Sequence, residues 1–78
     1  METKPLRDVR RRNLLSIDAL AGRANVSTKT IVDIEHGRQT PRLATIRKIS
    51  EALGVDPFSV AEFVAAIEEG NSLGELAA

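Results

Sequence analysis

The sequence predicts an all-α fold, a compact bundle of five short helices. Three observations carry that expectation. Apolar residues recur at three- and four-residue steps through most of the chain, the period of a helix with one buried face. Ser16 and Ser27 stand where two successive helices would begin, with Asn25 in the short connection between them. Gly37, Pro41, Gly54 and Asp56-Pro57 then cut the remainder into segments of helical length.

Helix 1 is expected from about Pro5 to Asn13, with Pro5 near its first turn and residues 1–4 frayed. Leu6 and Val9 face inward, and Leu15 seals the exit. Arg11 and Arg12 read as a solvated face. Helix 2 runs from Ile17 to about Ala24, capped by Ser16, with Asp18 at the positive end of its dipole. Leu20, Ala21 and Ala24 share one face, and Ala21 is small where a second helix crosses closely. Asn25 suits a left-handed turn position.

Helix 3 is expected from about Thr28 to His36. At 100° per residue, Ser27, Thr30, Ile31 and Ile34 gather on one side, and Thr28, Lys29, Val32, Asp33 and His36 on the other. The second group is a short, mostly polar outward face near the helix N-terminus. Glu35 flanks the buried side and needs a partner, because an unpaired buried carboxylate is costly. Gly37 closes the helix, and residues 38–42 form a loop that sets Arg38 and Arg42 beside it.

Helix 4, about Leu43 to Leu53, carries the stripe Leu43, Ile46, Ile49, Ala52 and Leu53 and ends at Gly54. Asp56-Pro57 predicts the start of helix 5, a cap followed by proline at the first helical position. Its apolar residues cover more than one stripe. Val60, Val64 and Ile67 suffice to face inward, which leaves Phe63 and Phe58 over. A symmetric dimer through helix 5, weak because Glu62, Glu68 and Glu69 would repel across it, is therefore expected with Phe63 and Ile67 as anchors. The competing expectation is that Phe63 completes the monomer core. The organisation is one domain over residues 1–70 and a short tail, 71–78, in which Ser72 and Glu75 match a capping box weakly.

Net charge is zero, but its distribution is not even. All eleven Lys and Arg lie in residues 1–48 with five acids, a formal charge of +6. Residues 49–78 hold six acids and no Lys or Arg, a formal charge of −6. One basic working end and one acidic end follow, the footprint of a nucleic-acid partner on the basic half. The chain has no cysteine and one histidine, so neither a thiolate nucleophile nor a zinc site is expected, and His36 reads as a dipole-stabilised surface residue. The chain is expected to be no enzyme, and nothing in it indicates a cofactor or small-molecule ligand. The N-terminus lacks the apolar core of a signal peptide, and the longest apolar run, Phe63 to Ile67, is too short for a bilayer, so a cytoplasmic protein without membrane contact is expected.

Arg10, Ser16, Leu20-Ala21, Val26-Ser27, Ile31, Ile34, Glu35, Gly37, Pro41 and Leu53-Gly54-Val55 together resemble the Cro/cI-type (XRE-like) helix-turn-helix family of phage repressors and bacterial regulators. The likeness covers roughly residues 6–64. Its signature, E-x-G-x-x-x-P, stands here as Glu35-His36-Gly37-Arg38-Gln39-Thr40-Pro41. The resemblance implies a lambda-repressor-like bundle with the helix-turn-helix at helices 2 and 3. It implies a buried ion pair between Arg10 and Glu35, bases read by Thr28, Lys29, Val32 and Asp33, and phosphates met by Ser16, His36, Arg38 and Arg42. Ser27, at the cap of the reading helix, is grouped with the phosphate contacts.

Three departures stand out. Ile17 replaces a glutamine that commonly bonds phosphate, Leu14 replaces the usual glycine at the helix 1 exit, and Asp33 sets a negative charge on the reading face. The function implied is a sequence-specific regulator binding double-stranded DNA with helix 3 in the major groove. The alternative, favoured by zero net charge, Ile17 and Asp33, is a protein-interaction module of the same fold, antitoxin-like or a co-regulator.

Overall fold

The computed structural model describes the backbone of residues 3–77 and the side chains of residues 3–69. Five α-helices follow in order: α1 (Leu6–Arg12), α2 (Ile17–Ala24), α3 (Thr28–Glu35), α4 (Leu43–Leu53) and α5 (Ala61–Ala77). The architecture is the expected all-α bundle, with the helix-turn-helix at α2 and α3.

The first four helices end in one way. Leu14, Asn25, Gly37 and Gly54 each adopt the left-handed conformation, at φ of 57°, 58°, 71° and 67°. In each case the next residue's N–H reaches five residues back: Leu15 to Arg10, Val26 to Ala21, Arg38 to Asp33, and Val55 to Ser50, at 2.8–3.2 Å. This is the Schellman ending, which satisfies carbonyls that would otherwise be orphaned and turns the chain sharply. Three of the four positions hold Asn or Gly, which tolerate it. Leu14 does not, and it is 92% exposed, so its side chain gains nothing from packing. Leu14→Gly is expected to stabilise the domain by about 1 kcal/mol, the relief of left-handed strain less the backbone entropy of glycine. Thermal melts of the two proteins check this.

Helix 5 starts later than the sequence predicts. Asp56 does act as a cap, accepting from the Phe58 N–H at 2.8 Å, but Pro57–Ser59 form only a 3₁₀ turn. Val60 is extended, because residue 4 pairs with it in an isolated parallel bridge. The Lys4 N–H donates to the Ser59 carbonyl at 3.0 Å, and the Ala61 N–H donates to the Lys4 carbonyl at 2.8 Å. The Leu6 N–H, an orphan donor at the start of α1, is taken by Glu62 Oε1 at 2.8 Å. Lys4 is thus clasped to the start of α5 and not frayed, while residues 1 and 2 lie outside the described residues. Residues 72–75 lie within α5, so the capping-box match starts no new helix.

The core draws on every helix: Leu6 and Val9 from α1, Leu20, Ala21 and Ala24 from α2, Ile31 and Ile34 from α3, Ile46, Ile49 and Leu53 from α4. Val60, Phe63, Ala66 and Ile67 complete it. The helix 5 dimer anchors therefore need correction. Phe63 is fully buried and Ile67 is 9% exposed, so neither presents a side chain to a second copy. The inward stripe runs through Val60, Phe63 and Ile67, with Val64 half-buried beside it. Among the described residues, the exposed large apolar side chains are instead Leu43 and Phe58, with Leu14.

Candidate nucleic-acid interface

The site is built on two capped helix starts. Ser16 Oγ accepts from the Ala19 N–H at 3.0 Å, and Ser27 Oγ accepts from the Thr30 N–H at 3.1 Å. Each serine satisfies one donor that helical bonding leaves open. Ser27 Oγ also lies 2.8 Å from Thr30 Oγ1. Ser16 keeps its hydroxyl proton for another acceptor. Asn25, left-handed between the helices, lets Ala21 and Ala24 pack under Ile31 and Ile34. The partly buried Ile17 packs against that core, which accounts for an apolar residue there.

Beneath α3 lies its brace. Arg10 Nε donates to Glu35 Oε2 at 2.7 Å and Nη2 donates to Oε1 at 3.1 Å, a two-pronged pair. Arg10 Nη1 donates to the Leu15 carbonyl at 3.0 Å, which ties the same guanidinium to the turn before α2. The two side chains are 9% and 2% exposed. The hydrogen bond to Glu35 holds the Arg10 guanidinium above its ordinary pKa, against the opposing pull of burial. A raised basic pKa means the stabilisation is complete below the ordinary value and is lost only above the raised one, so the arginine side of the pair adds no pH dependence near neutrality.

Sequence reasoning missed Arg7. Its Nε lies 3.7 Å from Glu35 Oε1, and its Nη2 lies 3.5 Å from His36 Nε2. Three residues before Arg10, it shares a face of α1, and that spacing was the available signal. Glu62 was also missed. It acts across 56 residues of sequence, where no local pattern points to it.

The outward face of α3 differs from its expected form at one residue. Thr28 and Lys29 are exposed and Val32 is half-buried. Asp33 is buried, its side chain 12% exposed, so it does not stand on the open face as the spacing suggests. Lys29 Nζ donates to Asp33 Oδ2 at 2.6 Å, and Arg38 Nη1 lies 3.9 Å from Asp33 Oδ1. The cause is the ending of α3. The Arg38 N–H bonds the Asp33 carbonyl at 2.8 Å and folds the loop back over that residue. Ser16, Ser27, His36, Arg38 and Arg42 are all exposed, and Arg42 occupies the cap position of α4 without a side-chain bond to it. Among the described residues no group of acids and histidine is arranged to hold a metal ion, and no helix is long and apolar enough to cross a membrane.

No curated protein and no solved structure matches the chain closely enough to count as a relative. The family model for helix-turn-helix domains of the Cro/cI type matches residues 6–59. That span contains the two capped helices, the Arg10–Glu35 brace and the exposed start of α3. The chain belongs to the XRE-type helix-turn-helix family of DNA-binding domains.

Proposed function

We propose that the protein is a sequence-specific transcriptional regulator that reads the major groove with the exposed start of α3. The observation that carries this reading is the exposed array of Thr28, Lys29, Arg38 and Arg42 around a helix held rigidly from below by the Arg10–Glu35 pair. A recognition helix enters the groove with its N-terminal part, and cations beside it settle on the flanking phosphates. Lys29 and Thr28 supply hydrogen-bonding groups toward base edges, and Val32 offers apolar contact to a thymine methyl. Ser16, Ser27, His36, Arg38 and Arg42 surround that face and meet phosphate oxygens.

In vitro selection of bound duplexes, followed by anisotropy titrations, tests the assignment. Lys29→Ala is expected to change base preference at one position, at about 1–3 kcal/mol for the selected site. Arg42→Ala is expected to weaken all sequences alike and to lower the salt slope by about one unit. Binding of every duplex as tightly as wild type by both variants would show that this face does not dock.

One observation favours a second reading, a protein-interaction module of the same fold. Leu43 and Phe58, each more than half exposed, border an open groove floored by Ile46, Val55 and Ile67. On that reading the wild-type protein selects no duplex sequence even at low salt.

A further inference from the structure

We propose that Asp33 sets the specificity of the reading surface as an internal counter-ion: it holds Lys29 and Arg38, and DNA must displace it. The proposal rests on the DNA-binding reading above. Both carboxylate oxygens of Asp33 face cations, with Lys29 Nζ at 2.6 Å and Arg38 Nη1 at 3.9 Å. The geometry is asymmetric in exposure. The Lys29 and Arg38 side chains are 82% and 66% exposed, while that of Asp33 is 12% exposed. The cations are thus open to a ligand, and the carboxylate beneath them is not offered to a base edge. Direct reading of a cytosine amino group by Asp33 does not fit this arrangement.

The consequence follows from what each acceptor returns. A random phosphate gives Lys29 one charge-assisted bond, much like the one it leaves, and strands Asp33 with a weaker partner. Guanine, with O6 and N7 side by side, offers an ammonium two acceptors at once. Lys29 then gains by leaving Asp33 at the guanine and gains little elsewhere. The carboxylate lowers affinity for every duplex and lowers it least for the correct one.

The test compares wild type with Asp33→Asn on a duplex selected by the wild-type protein and on a random duplex, across a salt series. Loss of the carboxylate leaves one more cation to neutralise phosphate. The slope of log affinity against log salt is expected to steepen by about one unit, and random-duplex binding to rise about eightfold at 0.1 M salt. The ratio of selected to random affinity is expected to fall. Unchanged binding, or weaker binding to both duplexes, overturns the proposal. If wild type binds neither duplex at low salt, the DNA-binding reading fails with it, a result distinct from tight wild-type binding that Asp33→Asn leaves unaltered. Circular dichroism melts establish that the variant folds. Should it not fold, the wild-type protein still decides: the Asp33 carboxylate carbon and the Lys29 ammonium signals must both shift when the selected duplex is added, and static signals overturn the proposal.

Discussion

Glu35→Gln is expected to destabilise the domain by about 5 kcal/mol and Arg10→Met by about 3 kcal/mol, the two ends of the range for breaking a buried ion pair. The inequality comes from Arg7. When Arg10 is lost, Glu35 still has the Arg7 guanidinium 3.7 Å away and can draw it closer. When Glu35 is neutralised, Arg10 stays buried without a counter-charge and faces Arg7 as a like charge. The double variant Arg10→Met/Glu35→Leu is expected to recover most of the loss, because apolar side chains of similar volume fill the site without stranding a charge. Urea melts of wild type, Arg10→Met, Glu35→Leu and the double variant close the cycle. Additive losses, or a greater loss for Arg10→Met, would contradict the brace described here.

Phe63→Ala is expected to cost about 3–5 kcal/mol, the range for truncating a buried aromatic ring. Phe63 is the largest of the fully buried side chains, and it meets the core where α5 closes over the other helices. A domain of this size has only about 4–12 kcal/mol of total stability, so the variant should lose about 12–40 °C of melting temperature. The shift in melting temperature is expected to be the same at every protein concentration, since the ring is inside the monomer. A shift that shrinks on dilution would place Phe63 in an interface between copies.

Much of this was readable from residue order because it is local. Ser16 and Ser27 announce α2 and α3 through the bond each side chain makes three residues on. Asn25, Gly37 and Gly54 announce left-handed endings because few other residues tolerate them. Leu14 shows the limit: the chain turns left-handed there as well, on a residue that gives no local sign of it. Helix 5 shows a second limit. Asp56-Pro57 is a sound local start signal, yet pairing of Val60 with Lys4, far away in sequence, breaks the helix into a 3₁₀ turn and a later α5. Asp33 shows a third. Helical spacing assigns it an angle on α3, but the loop carrying Arg38 folds over it and decides its exposure. Periodicity leaves Phe63 between core and surface, since α5 is apolar on more than one face and only packing chooses among them.

On the proposed function, duplex DNA docks on the exposed start of α3. Titration of the ¹⁵N-labelled protein with duplex DNA at low salt, followed by amide chemical shifts, tests it most directly. The largest shifts are expected at Thr28, Lys29, Val32, Arg38 and Arg42, with smaller ones at Ser16 and Ser27, and none at Phe63 or Ala66 in α5. Shifts centred on Leu43, Val55 and Phe58, or no shifts at any residue, would contradict it.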